Sequence, residues 1–251
     1  MRLLSSEAIV LRGFDYSESD RIVVFYTREF GKIRGIAKGV KKIKSQAGGA
    51  LLNLTHCYLS FYHHSALVSI NQCEGIDFHP SFYRKVGRYL CGVYLGELVY
   101  LGTEEREPNP RLFELLRFFL KVLDDGHPDS ETVLRVFEIR LLKLLGLFPE
   151  LSVCVLCRGE LTMGSGYKRK IPVSVSAGGL LCGRCSRRRT YHALSAGSIG
   201  FCKQALKLEP EKLTRLRLDS WLKGELKPFL NQYMKYSLER EIRSFSFLDY
   251  C

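Results

Sequence analysis

Two copies of one short pattern constrain this chain more than any other feature: CVLC at 154–157 and CGRC at 182–185, with 24 residues between them. Two intervening residues let both sulfurs of a pair face one ion from a tight turn, and a second pair closes a tetrahedron from another turn. The start, MRLLSSEAIVLRG, meets charge at Arg2, Glu7 and Arg12, so it is not read as a secretory signal. The cysteines are therefore expected to be reduced, which disfavours two disulfides. A lone CxxC would suit redox chemistry. Two of them point to Cys154, Cys157, Cys182 and Cys185 around one structural Zn²⁺, since four thiolates leave no open position for a catalytic water.

Between the pairs, Ile171, Val173 and Val175 alternate ahead of Ala177-Gly178-Gly179. This predicts two short strands about a turn, hence a zinc ribbon over 151–190. A piece of about 40 residues cannot build its own core, so metal would supply folding free energy on the order of 10 kcal/mol or more. Cys57, Cys73, Cys91, Cys202 and Cys251 are scattered and read as core or surface thiols.

The formal net charge is +12, and its distribution matters more than its total. Residues 151–190 hold eight Lys and Arg against one acidic residue, and residues 28–44 hold seven against one. Such patches favour polyanions, nucleic acid first and anionic membrane second. No apolar run is long enough for a membrane span. The best candidate, LCGVYLGELVYLG, carries Glu97 in its middle.

The predicted fold class is α+β. Residues 1–79 read as five short strands, which suggests a small closed barrel of the OB or SH3 type; periodicity does not separate the two. KGVKKIKSQAGGA reads as a basic loop that tracks phosphates through Lys38, Lys41, Lys42 and Lys44, or else as a solvated hairpin tip. Residues 80–150 read as helical, with Asn109-Pro110 and Asp129-Ser130 as helix starts and Gly146 as a stop. Residues 191–251 return to helix, with Ser195 a cap, Pro210 a start and LKPFLNQYMKYSLEREIRSF an amphipathic run. The expected organisation is a barrel at 1–79, a helical bundle at 80–150 and 191–251, and the ribbon inserted at 151–190.

No nucleotide loop, dinucleotide turn or nucleophile elbow is present, so no catalytic residue is assigned and a binding protein is favoured. His56, His63 and His64 lack a partner carboxylate pattern for metal, and Asp124-Asp125 before a glycine reads as a helix end.

Three segments carry a family resemblance. FEIRLLKLLGLFPELSVCVLC, VLRGFDYSESDRIVVFYTREFGKIRGIAKGVKK (with its ESD, its T…GK turn and its AKG before basic residues) and GGLLCGRC together are similar to the RecO family of bacterial recombination mediators. The likeness runs in order along nearly the whole chain and fades after about residue 195. It implies an amino-terminal OB fold, a helical domain and a zinc element. It also implies binding of single- and double-stranded DNA, annealing of complementary strands, and work with RecR, and in many bacteria RecF, to load RecA onto DNA coated by single-strand-binding protein. A cytoplasmic, nucleoid-associated location follows from it.

On this reading Arg34, Lys38, Lys41, Lys42 and Lys44 neutralise phosphates. Arg184, Arg187, Arg188 and Arg189 extend the basic surface, and Tyr58, Phe61 or Tyr62 stack bases. Arg135, Arg140 and Lys143 would meet the acidic tail of single-strand-binding protein, unless Arg135 pairs with Glu131 or Glu138 on its own helix. Two rival readings stand beside it: a zinc-ribbon translation or transcription factor that binds structured RNA, and an enzyme such as a nuclease.

Overall fold

The computed structural model describes residues 2–40, 48–63, 67–161, 166–187 and 192–250. The chain forms two compact units, Met1–Pro128 with Ile242–Cys251, and Asp129–Glu241.

In the first unit, strands β1 (Arg2–Asp15), β2 (Arg21–Thr27), β3 (Gly31–Ala37), β4 (His56–His63) and β5 (Leu67–Asp77) close a barrel in the order β1-β2-β3-β5-β4. All pairs are antiparallel except β3 with β5, where Arg34, Gly35 and Ile36 face Leu67, Val68 and Ser69 in parallel. β1 pairs with both β2 and β4, so the sheet has no free edge at that strand. Five strands closed in this order form an OB fold, which resolves the barrel type that periodicity left open.

Alternation fills the barrel with Ala8, Val10, Val23, Phe25, Ile33, Cys57, Leu59, Phe61 and Val68. A bulge between Val10 and Arg12 resets the parity of β1, so that Arg12 and Phe14 point outward. The turn between β2 and β3 shows why Thr27 and Gly31 sit where they do. Thr27 Oγ1 accepts the Phe30 N–H at 3.1 Å and donates to the Gly31 carbonyl at 2.8 Å. Gly31 adopts φ 66° against the Glu107 backbone, where any side chain would collide.

Helices α1 (Val86–Gly102) and α2 (Pro110–Asp124) pack together in this unit. Asn109 caps α2 by accepting the Leu112 N–H at 3.1 Å, with proline at the first helical position as expected. Glu97, the charge that argued against a membrane span, receives the Arg243 and Ser244 N–H groups at 3.1 and 2.8 Å. It thereby holds the chain's final 3₁₀ segment, Arg243–Tyr250, against α1.

The second unit contains α3 (Ser130–Leu144), strands β6 (Lys170–Ser174) and β7 (Gly179–Leu180), the short helix α4 (Gly183–Ser186), strand β8 (His192–Ser195), and helices α5 (Ala196–Lys207), α6 (Pro210–Leu213) and α7 (Ser220–Leu238). Asp129, Ser195 and Asp219 cap α3, α5 and α7 through side-chain oxygens. Gly146 follows α3 at φ 73°, as a helix stop requires. The amphipathic run expected to continue to Phe245 instead divides. α7 ends where Glu239 turns left-handed at φ 51°, and the residues beyond, including buried Ile242, belong to the first unit.

At the centre of α3 lies a buried ion pair. Arg135 and Glu138 are 1% and 0% exposed, and Arg135 Nη2 is 2.9 Å from Glu138 Oε1. Arg135 Nη1 also donates to Asn231 Oδ1 on α7 at 3.2 Å. Removing one member of such a pair strands the other charge out of water, at about 3–5 kcal/mol. Arg135→Ala is therefore expected to destabilise the second unit by about that amount in urea unfolding, while a paired Arg135→Met, Glu138→Leu variant recovers most of it.

Candidate metal centre and nucleic-acid interface

The ribbon is built on a three-stranded sheet in the order β7-β6-β8. The β6–turn–β7 hairpin was legible from the glycine pair; the third strand, β8, comes from beyond the second cysteine pair. Cys154 and Cys157 sit on a knuckle in which the Cys154 N–H bonds the Gly159 carbonyl at 3.0 Å and the Arg158 N–H bonds the Cys154 carbonyl at 2.9 Å. The Val155 N–H reaches the Leu180 carbonyl at 2.9 Å, which brings this knuckle to the hairpin. Cys182 stands at the N-cap position of α4 without a side-chain cap, and Cys185 lies within that helix.

One Sγ from each of the four cysteines lies within 4.8 Å of the others, and none is bridged. The Cys157 and Cys182 sulfurs are 3.8 Å apart. A tetrahedron with Zn–S bonds of about 2.3 Å has sulfur–sulfur edges of about 3.8 Å, so the cage fits one tetrahedral metal ion and is consistent with zinc.

The electrostatics point the same way. Burial opposes ionisation of Cys154, yet the backbone N–H groups of Cys157, Cys182 and Leu156 and the Cys157 thiol bring its pKa down to about 6. Backbone N–H groups, first that of Cys185, lower Cys182 as well. Cys185 is pushed up to about 12, chiefly because Cys182 takes its proton as a hydrogen bond. Four sulfurs this close cannot all carry charge without a cation among them.

The candidate phosphate contacts divide between the units. In the first unit, register places Arg12, Val24 and Arg34 in one row and Phe14, Ile22 and Ile36 in the next, all on the outer face of β1–β2–β3. Arg34 pairs with Glu105 at 2.7 Å, and Lys38 is exposed just past β3. Phe14 is 41% exposed and Tyr16, in the β1–β2 loop, 61%. The Arg12 guanidinium lies 5.8 Å from the Phe14 ring and 5.0 Å from the Tyr100 ring. Lys41, Lys42 and Lys44 lie outside the described residues. Along β4 the alternation separates the expected stacking residues: Tyr58 is exposed, Tyr62 half-buried, and Phe61 belongs to the barrel core. Sequence reading missed Arg12, Phe14 and Tyr16, because the bulge that turns the first two outward leaves no compositional trace.

In the second unit Arg184 and Arg187 are exposed beside the second cysteine pair, while Arg188 and Arg189 lie outside the described residues. The residues expected to meet an acidic peptide fare differently. Arg135 is buried against Glu138, the alternative the spacing allowed, so its charge is answered inside the unit. Arg140 spends its guanidinium on the Ala205 and Leu208 carbonyls. Lys143 is exposed on the last turn of α3. His56 is engaged by Glu7, its Nε2 2.9 Å from Glu7 Oε2. Among the described residues no helix is long and apolar enough to cross a membrane.

Comparison with known proteins matches residues 1–79 to the family "Recombination protein O N terminal" and residues 84–245 to "Recombination protein O C terminal". The chain belongs to the recombination protein O family. It is 34% identical to the DNA repair protein RecO of Pelotomaculum thermopropionicum over 250 residues, covering 99% of this chain and 94% of the relative. It is 32% identical to RecO of Moorella thermoacetica over 98% of this chain and 91% of the relative. RecO of Listeria monocytogenes serotype 4a is 36% identical over 74% of this chain and 69% of the relative. Membership in the RecO family supports a role in DNA repair and recombination, and the cysteine cage lies within the carboxyl-terminal family match.

Chain purified without chelator is expected to carry about one metal ion by elemental analysis. Cys154→Ser is expected to lose most of it and to lower the unfolding midpoint, since metal binding and ribbon folding are one free energy. Lowering the pH from 7 to 5 is expected to weaken metal uptake, because protons compete for the Cys154 thiolate as the pH falls through its pKa of about 6.

Proposed function

We propose that this protein is a recombination mediator that acts by electrostatic capture of DNA and by no covalent step. The observation that carries the reading is the outer face of β1–β2–β3, where Arg12, Phe14, Arg34 and, just beyond, Lys38 put cations and an exposed ring on one rigid sheet. OB folds bind oligonucleotides with this face and the adjoining β1–β2 loop, here occupied by Tyr16. Basic groups replace the counterions of the phosphates, and exposed rings stack bases without reading sequence.

Strand annealing follows from the same physics. Two strands whose phosphates are neutralised stop repelling each other, and bases not buried by the protein remain free to pair. Arg184 and Arg187 supply further cations on the second unit, next to a cage that holds one structural Zn²⁺. With RecR, and with RecF where present, the protein loads RecA onto single strands coated by single-strand-binding protein.

For the acidic, apolar tail of single-strand-binding protein, the receiving site is a groove of about 490 Å³ in the second unit. Tyr167, packed over Gly197, walls it with Phe201 and Leu222; Gly200 leaves it open along α5; and the exposed Arg217, whose Nη1 donates to the Thr214 and Leu216 carbonyls, supplies positive charge at its rim. This replaces Arg135 and Arg140 as the tail contacts.

If about five phosphates are engaged on a single strand, the logarithmic salt slope is near −3.5 and affinity drops roughly 100-fold between 50 and 200 mM salt. Lys38→Ala is expected to reduce that slope by about 0.7, and Phe14→Ala to cost about 1–3 kcal/mol if a base stacks there. Fluorescence anisotropy with a labelled oligonucleotide reads both. A preference for structured RNA in competition, or cleavage of labelled DNA with Mg²⁺ that tracks the pure protein, would refute the reading. In a separate titration with a tail peptide, Arg217→Glu is expected to weaken binding at least 10-fold while DNA affinity changes little.

A further inference from the structure

The end of β5, the turn after it and the end of α2 bring three ligand-bearing side chains together in the first unit. Asp77, His79 and Asp124 each present one donor atom, and these atoms lie within 4.8 Å of one another. The backbone orients both carboxylates. Asp77 Oδ1 accepts the His79 N–H at 3.0 Å, and Asp124 Oδ1 accepts the Ser81 N–H at 2.8 Å. The Ser81 hydroxyl in turn donates to the Asp124 carbonyl at 2.7 Å.

His79 is the independent observation. Its side chain is 2% exposed, and neither Nδ1 nor Nε2 has a hydrogen-bond partner. Nδ1 is aimed into the cluster, 3.6 Å from Asp77 Oδ1. The residue also holds a left-handed backbone at φ 48°, which a residue with a side chain adopts only under constraint. A buried ring with both nitrogens unanswered is costly and calls for an explanation. Burial holds the imidazole pKa below its ordinary value, so the ring is neutral and able to ligate.

We propose that Asp77, His79 and Asp124 form a second metal site, distinct from the cysteine cage, that takes one divalent transition-metal ion. One imidazole and two carboxylates suit Mn²⁺, Fe²⁺, Co²⁺ or Zn²⁺; the nitrogen ligand disfavours Ca²⁺ and Mg²⁺, and the lack of sulfur disfavours Cu(I). An ion here ties the last strand of the barrel to the end of α2 through side chains rather than through backbone.

Lys121 supplies the competing charge. Its Nζ is 3.9 Å from Asp77 Oδ2 and 3.7 Å from Asp124 Oδ2, but its shortest contact, 3.0 Å, is to Asp125 Oδ1 outside the cluster. The side chain is half exposed, so it can move wholly to Asp125 as an ion enters. The opposing account is a metal-free hub in which Lys121 alone balances the two carboxylates. The two accounts assign Lys121 opposite roles, a competitor in one and the mainstay in the other.

The test uses the full chain with its cysteine cage saturated with Zn²⁺. Mn²⁺ is titrated in, and free Mn²⁺ is followed by electron paramagnetic resonance. Mn²⁺ binds thiolates too weakly to displace Zn²⁺, so uptake reports the oxygen–nitrogen site. One Mn²⁺ per chain is expected. His79→Gln and Asp124→Asn should each weaken uptake at least 10-fold, the asparagine keeping the acceptor for Ser81, with folding checked by circular dichroism. Lys121→Met should tighten uptake. No saturable Mn²⁺ on the Zn²⁺-loaded wild-type chain overturns the proposal. So does uptake indifferent to His79→Gln in a folded variant, or uptake that weakens in Lys121→Met.

Discussion

Four sulfurs within 4.8 Å of one another form a cage that the chain cannot hold together by its own charges. Backbone N–H groups already draw Cys154 and Cys182 towards thiolate, while Cys185 keeps its own proton by sharing it with Cys182. A dication bound in the cage would resolve that conflict and in doing so fix the ribbon, whose strands are too short to persist alone. The other end of the same sheet is fastened differently. Glu225 on α7 accepts the Ser195 N–H at 2.9 Å and the Ser198 hydroxyl at 2.6 Å, and it pairs with Lys170 of β6. Although burial works against it, these donors keep the Glu225 carboxyl below its ordinary range, so the anchor stays charged. The sheet thus ends on one side in a sulfur cage fit for a cation and is held on the other by a carboxylate among donors.

The first unit reaches rigidity by closure instead. A barrel without a free edge at β1 presents its outer face as a fixed array, in which Arg12 lies against both Phe14 and Tyr100. Cations packed on rings lose little freedom when they meet a phosphate, and an exposed ring on a strand needs no reorganisation to receive a base. In the proposed DNA-binding role Arg34 would carry a brake, since its pairing with Glu105 would have to loosen before it met a phosphate. Both groups are about half exposed, so the pair itself is weak and that cost is modest.

What could be read from sequence was what local chemistry decides. The cysteine spacing, the hairpin at Gly178-Gly179 and the caps at Asn109, Asp129 and Ser195 each involve atoms a few residues apart, and each took its expected place. The features that escaped depend on tertiary placement. The outward turn of Phe14 depends on a bulge against β2. Glu97 looked like an awkward charge in an apolar helix until the backbone from Arg243 and Ser244 arrived to use it. Arg135 and Glu138 sit at a spacing typical of solvent-facing pairs, yet α3 is buried on all sides from Thr132 to Ile139, and only packing against α5 and α7 reveals this.

The same distinction bears on Asp77, His79 and Asp124. Asp124 is a helix-ending aspartate by sequence, and it does end α2, but its carboxylate also fixes the turn at Ser81 and faces His79. A residue that satisfies a local rule is free to serve a distant one, because capping and turn-holding use single lone pairs and leave others over. The cysteine cage announces itself because soft ligands in paired turns have few other uses in a reduced chain. Carboxylates and imidazoles have many other uses, so a site built from them becomes visible only when burial leaves a ring such as His79 with nothing else to bond.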